Sequence, residues 1–348
     1  RLHEPSKIFK IYDPACGTGG MLTVAEEHVR RVNPTARLHL FGQELQPESY
    51  AVCRTDMLLK GQNAAGIVFG DSFTQDGHKG KTFDYQLANP PYGKDWKTIE
   101  KAIKAEHADE GFDGRFGAGL PATSDGQILF LQQMIAKMPP VEDGGGRIAV
   151  VFNGSPLFSG DAGSGMSEIR RWIIENDWLD AIIGLPDQLF YNTGISTYIW
   201  VVTNRKRQER RGRVQLIDAR ELFAKMRKSL GNKRNELTAD HIAEITALYE
   251  DFAEGDRSKI LPNSAFGYRK VTVERPLQVR YEINEETLAA VLTSRTMPKL
   301  DDDTQKVIEF VLTNLVGTTA PTVDVFEAIV VPEAVTVWAD HGWETPEG

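Results

Sequence analysis

The sequence predicts an α/β fold, a mostly parallel, doubly wound sheet with helices on both faces. Three observations carry that prediction. From residue 8 onward, short apolar runs alternate with helical patterns, the order that builds a parallel sheet with crossover helices. A glycine turn, Gly17, Gly19 and Gly20, follows the first run at once. The first three runs each deliver an acid to their far end, Asp13, Glu44 and Asp71, and ligands of open α/β sheets lie outside the carboxyl ends of the strands.

Strand Ile8 to Asp13 runs into DPACGTGGML, residues 13 to 22. The glycines allow a tight turn with close backbone approach to a ligand, and a helix from about Gly20 to Val32 offers free N–H groups. The pattern is neither the dinucleotide G-x-G-x-x-G nor a P-loop, since no G-K-[ST] follows. Strand Leu38 to Gln43 ends at Glu44, helix Pro47 to Leu59 follows, and strand Gly66 to Phe69 ends at Gly70-Asp71. A carboxylate at the second strand's tip suits the two hydroxyls of a ribose, which makes Glu44 the candidate.

Strand Phe83 to Ala88 stops in Asn89-Pro90-Pro91-Tyr92, because consecutive prolines lack the N–H groups that continue a ladder. The prolines hold the Asn89 amide and the Pro90 carbonyl in place. Two fixed acceptors suit the two N–H donors of an adenine-like amino group, and Tyr92 offers a face for its ring.

Together, DPACGTGG and NPPY resemble the S-adenosylmethionine (AdoMet) dependent amino-methyltransferases. The full run DPACGTGGML, the gap to NPPY and the sequence beyond resemble the modification subunit of type I restriction-modification systems, which methylates N6 of adenine in DNA; the likeness covers most of residues 8 to 284. It implies a Rossmann-like class I methyltransferase with an antiparallel strand at the sheet edge. AdoMet would be held by Asp13, Ala15, Gly17, Thr18, Gly19, Gly20, Glu44, Asp71, Ser72, Phe73 and Asn89. The resemblance gives Asp71 and its GDSF context the cofactor's amino group, and Phe73 its ring. Asn89, Pro90, Pro91 and Tyr92 would be catalytic, with no metal. The implied partners are DNA, a specificity subunit that reads the target, and a restriction subunit. The family also carries an N-terminal helical domain and a further cofactor motif ahead of the glycine turn, whereas here the chain opens on Arg1 and twelve residues precede Asp13, as in a fragment. Cytosine N4 or a protein glutamine amide would satisfy the same acceptors. A non-catalytic scaffold or DNA-binding module that retains the fold is the alternative of a different class.

After NPPYG comes a charged tract, Lys94 to Ser124. It reads as an irregular loop, either mobile until it folds over DNA or a plain mobile insertion. Lys94 is a candidate DNA contact. Helix Asp125 to Met138 has Ser124-Asp125 as cap candidates, strand Arg147 to Phe152 follows three glycines, and helix Ser167 to Glu175 leads to strand Leu179 to Gly184. Thr197 to Thr203 makes the antiparallel partner expected at the edge, and Phe190 or Tyr191 in the loop between could line the target pocket. RKRQERRGR, residues 205 to 213, holds six basic residues and one acid; Arg205, Lys206 and Arg207 are candidate phosphate contacts, or the run is a solvated connector. Thr238 could cap a helix from Ala239 to Phe252, Val271 to Ile283 is strand-like except at Pro276, and Gln305 to Val316 is helix-like.

Composition bounds the rest. The 348 residues divide into a catalytic domain, 1–284, and an acidic, partly helical extension, 285–348. Residues 281–348 hold 13 acids and 3 bases, which leaves 36 acids against 37 bases in the remainder. A neutral catalytic part with an acidic tail grips phosphate weakly by itself. Cys16 and Cys53 are the only cysteines and form no C-x-x-C, which argues for a reducing compartment and against structural zinc. No run of about eighteen apolar residues and no signal peptide appear, so a cytoplasmic protein off the membrane is expected.

Overall fold

The computed structural model describes residues 8–191, 193–274 and 279–342. The strands are β1 (Ile8–Asp13), β2 (Arg37–Glu44), β3 (Ile67–Phe69), β4 (Tyr85–Ala88), β5 (Arg147–Asn153), β6 (Leu179–Gly184), β7 (Thr197–Thr203), β8 (Arg213–Asp218), β9 (Ala224–Leu230), β10 (Lys233–Glu236), β11 (Ser258–Pro262), β12 (Tyr281–Glu282) and β13 (Thr319–Ala320). The α-helices are α1 (Gly20–Val32), α2 (Pro47–Leu59), α3 (Glu100–Glu110), α4 (Gln127–Ile135), α5 (Ser155–Phe158), α6 (Gly165–Glu175), α7 (Ala239–Asp251), α8 (Glu285–Leu292), α9 (Asp302–Asn314) and α10 (Val323–His341).

Among the described residues, nine strands form one sheet in the order β11-β8-β6-β7-β5-β4-β1-β2-β3. From β1 the chain winds outward through β2 to β3, then returns to the other side of β1 as β4. Strands β1 and β4 are therefore the topological switch point, where a crevice opens at the strand ends. Their pairing is parallel, with Ile11 opposite Tyr85 and Tyr12 opposite Gln86.

Side-chain alternation explains why both faces are covered. On β7, Tyr198, Trp200 and Val202 pack into the cluster that holds Ile128 of α4 and Ile169 of α6. Ile199 and Val201 join Ile245 of α7 on the opposite face. Toward the other end, Ile11, Leu40 and Ile67 pack on Leu22 of α1 and Met57 of α2. Pro47 opens α2 at a position where its missing N–H costs no bond, and Thr238 caps α7 as expected, its hydroxyl accepting from His241 N at 3.3 Å. Asp125 does not cap α4; the helix starts at Gln127, whose N–H donates to Asp125 Oδ1 at 3.2 Å.

Four expectations need correction. β7 is not at the edge: it lies between β5 and β6, antiparallel to both, and the antiparallel edge strand is β11. The tract after NPPYG is not an irregular loop, because it contains α3 and buries Trp96, Ile103 and Phe116 in a cluster with Phe73 and Leu129. The spacing of Trp96, Ile99 and Ile103 was a helical signal, hidden by the surrounding lysines and acids. The chain also divides into compact units at Lys270/Val271 rather than after residue 284. Tyr281 pairs with Ala320, which fastens β12 to the second unit. Of the strand-like run Val271 to Ile283, only Tyr281–Glu282 is strand among the described residues, and 275–278 lie outside them.

The second unit is mainly helical, with a small core of Val307, Val311 and Val337 between α9 and α10. Among the described residues no helix is long and apolar enough to cross a membrane.

Candidate active site

A cleft of about 620 Å³ opens at the switch point, lined by the ends of β1, β2, β3 and β4. Ala15, Gly17, Glu44, Asp71, Ser72, Phe73, Asn89, Pro91 and Lys94 line it, all singled out by the sequence. Asp13, Thr18, Gly19, Gly20, Pro90 and Tyr92 flank these residues in the two turns without lining the cleft. A second cavity of about 470 Å³ is lined by parts of β6, β7 and β8, including Trp200 and Leu216. It holds none of the sequence-predicted residues.

The glycine turn is built by backbone. Gly17 and Gly19 adopt φ of +55° and +82°, which favours glycine. A Cβ at Gly19 would lie 2.6 Å from Cys53 Sγ, so α2 packs close there. The Glu44 carboxylate reaches across, accepting from Gly17 N at 2.8 Å and from Gln46 N at 2.7 Å. On the third strand's turn, Asp71 Oδ1 accepts from Phe73 N at 2.6 Å and Thr74 N at 3.2 Å. That oxygen serves its own turn, so an incoming amino group would have to address Oδ2. Ser72 Oγ donates to Pro14 O at 2.5 Å, tying this turn to the glycine turn.

Asp13 is buried, with Oδ1 accepting from Ala15 N at 2.9 Å. Burial pushes its carboxyl up to about 7; the Ala15 N–H opposes the shift and the charge of Glu44 adds to it. The folded state therefore keeps this proton above the ordinary value of 3.8 at which the unfolded chain releases it. Stability should fall as pH rises from about 4 to 7, by up to about 1.4 kcal/mol per pH unit from this group. Urea midpoints across that range should drop more steeply for the wild type than for Asp13→Asn; parallel curves would clear Asp13 of the effect.

In the NPPY turn the Tyr92 hydroxyl donates to Asn89 Oδ1, and burial raises the phenol above its ordinary value. An amine arriving at Asn89 must displace that hydroxyl. The turn is anchored downstream: Gly126 N donates to Lys94 O at 3.0 Å, and the Trp96 indole N–H to Ala122 O at 3.0 Å.

The profile described as N-6 DNA Methylase matches residues 1–272. The chain belongs to that family. Among curated relatives of this N-6 DNA methylase chain, the type I restriction enzyme MjaIX methylase subunit of Methanocaldococcus jannaschii is 29% identical over 269 residues, covering 75% of this chain and 44% of the relative. The HindI methylase subunit of Haemophilus influenzae is 31% identical over 242 residues, covering 68% and 49%. The crystal structure of a type I restriction-modification methyltransferase subunit from Streptococcus thermophilus matches with a TM-score of 0.63 at 28% identity, over 76% of this chain and 52% of that one. The chain spans about half the length of the curated relatives it matches. Its fold is that of this methyltransferase subunit, with the mostly parallel sheet and an antiparallel edge strand that the sequence predicted.

Other residues proposed from sequence do not gather at the cleft of the N-6 DNA methylase chain. Phe190 and Tyr191 are not among its lining. Tyr191 is exposed, with Lys233 Nζ 5.3 Å from its ring, and its carbonyl accepts from Asn232 N at 3.0 Å; this loop leans on the β9–β10 hairpin. The basic run 205–213 follows the end of β7. Because β7 is antiparallel, Thr203 pairs with Arg147 at the start of β5, which puts the run at the end of the strands opposite Asp13 and Asn89. Lys206 is buried on Asp177 Oδ1 at 2.6 Å, and Arg205 donates to Gly144 O at 2.7 Å. Arg207 is exposed at that far end. Sequence reasoning missed Trp96, Ile99 and Phe130, which form an apolar cleft wall, although Trp96 lies only four residues beyond Tyr92.

Proposed function

We propose that this chain is the catalytic part of a type I modification subunit, transferring a methyl group from AdoMet to N6 of adenine in DNA. The observation that carries the reading is the adjacency of the Asp13–Gly20 and Asn89–Tyr92 turns on neighbouring strands β1 and β4, at one cleft. AdoMet, when bound, supplies an electrophilic sulfonium methyl. The residues present fit such a group. Acids at the tips of β2 and β3 face the cleft, an aromatic wall of Phe73 and Phe130 stands beside them, and at Gly17 a Cβ would meet nothing within 4 Å. Glu44 would take the ribose hydroxyls, Asp71 the adenine amino group and Phe73 the ring.

The chain's own work at the target is geometric and electronic. The lone pair of an aromatic amine is delocalised and nucleophilically weak. Asn89 Oδ1 and the Pro90 carbonyl, each accepting one N–H, favour a pyramidal nitrogen and stabilise positive charge as it develops there. No strong base is needed. A base inside a duplex cannot reach this cleft, so the adenine is flipped out and stacks on Tyr92. A specificity subunit supplies the sequence choice and much of the grip on DNA that a near-neutral catalytic part lacks, and a restriction subunit completes the complex.

The test is to mix the chain with its candidate specificity subunit, supply labelled AdoMet and unmodified duplex DNA, and identify the modified nucleoside. N6-methyladenine is expected; N4-methylcytosine or labelled protein would overturn the reading. Glu44→Ala should weaken AdoMet binding about 10-fold to 100-fold, the worth of the charge-assisted bonds it removes. A calorimetric titration indistinguishable from wild type would take Glu44 out of the ribose site.

A further inference from the structure

We propose that Arg115 is a positioning residue that fixes the wall against which the cofactor's adenine ring binds, acting through the backbone of Ser72 and Phe73. The inference rests on the AdoMet reading above and adds to it a residue 42 positions beyond Phe73.

The turn that ends β3 faces a general difficulty. Its carbonyls are not in a ladder, and a buried carbonyl without a donor is costly. Arg115 supplies the donors. Its Nη2 donates to Phe73 O at 2.7 Å and its Nη1 to Ser72 O at 3.3 Å, with Gln133 Nε2 as a second donor to Ser72 O at 3.2 Å. The guanidinium is held in turn. Glu106 of α3 accepts from Nε at 2.8 Å and from Nη2 at 2.5 Å, and Gln133 Oε1 of α4 from Nη1 at 2.8 Å. Both charged side chains are largely buried, at 19% and 14% exposure.

The backbone of Phe73 is thus held on both sides of its Cα: Asp71 takes its N–H, Arg115 its carbonyl. Ser72 passes the constraint on to the glycine turn through its hydroxyl bond to Pro14 O. On the cleft side the Phe73 ring lies 4.6 Å from Phe130. A planar five-donor fork satisfies two carbonyls and a carboxylate at once, which a lysine ammonium at the same place cannot reproduce. The tract after NPPY is therefore the outer brace of the cofactor site.

The test is calorimetric titration of the full chain with AdoMet for wild type, Arg115→Lys, Phe73→Ala and the double variant. Arg115→Lys should weaken binding about 10-fold to 100-fold. If Arg115 acts through Phe73, the losses are shared: Arg115→Lys in the Phe73→Ala background should cost less than about 3-fold more. Wild-type affinity in Arg115→Lys, or losses that multiply in the double variant, would overturn the proposal. Should Arg115→Lys fail to fold, Glu106→Gln takes its place; it leaves the guanidinium on its carbonyls but loosens its anchor, and the same non-additivity with Phe73→Ala decides. Wild type that binds no AdoMet would sink the cofactor reading itself, an outcome separate from wild type that binds and an Arg115→Lys variant that binds equally.

Discussion

Asn89→Ala should lower methyl transfer by about 100-fold to 1000-fold or more, the scale seen when one preorganised group facing developing charge is removed, while AdoMet affinity changes little. Asn89 is exposed at the tip of β4, where its side chain can meet a base, and the sheet does not depend on it. The loss should appear in kcat in the assay with the specificity subunit, because the bond to nitrogen strengthens as charge develops there. Turnover near that of wild type would remove the clamp from the mechanism. Weakened AdoMet binding of the same size would leave Asn89 only the cofactor-holding role that the resemblance also gives it.

Arg210→Ala should destabilise the fold by about 3–5 kcal/mol, the cost of leaving a buried partner charge uncompensated, with no change in DNA affinity. Arg210 is 3% exposed and Asp180, its partner at 2.8 Å, is fully buried. The guanidinium also donates to Gln215 Oε1 at 2.8 Å and to Tyr249 O at 2.9 Å, and packs over the rings of Tyr249 and Phe252. Tyr249 in turn donates to Asp180 Oδ2. Removing the arginine breaks the link between β6, β8 and α7. Arg207→Ala, on an exposed neighbour, should stay within about 0.5 kcal/mol. Chemical denaturation of both variants checks the contrast; equal effects would mean that Arg210 does not hold the core. A fall in DNA affinity for Arg210→Ala would return the basic run to the DNA interface.

How much was legible follows the way each element is stabilised. β6 and β7 are buried on both faces, so their apolar runs could be bounded from sequence at Leu179–Gly184 and Thr197–Thr203, and the structure has the same limits. β9 and β10 are polar and mostly exposed, and stand by pairing with each other, so no periodicity announced them. The turns at Asp13–Gly20 and Asn89–Tyr92 could be read because glycine opens, and proline fixes, the backbone locally.

By itself, then, the sequence determined what is local: the alternation of strands and helices, the acids at three strand tips, and the two turns that interrupt the ladder at Asp13–Gly20 and Asn89–Tyr92. Tertiary structure alone decided direction and partnership. The sense of β7 sends its basic run to the end of the strands away from the cleft, where Lys206 and Arg210 become buried counterions. The folding of the tract after NPPY makes Arg115 a brace for residues far behind it in the chain. A charge in a sequence has no neighbours except those beside it. Whether it meets phosphate, solvent or a buried carboxylate is set by contacts between distant segments, and those exist only once the chain has folded.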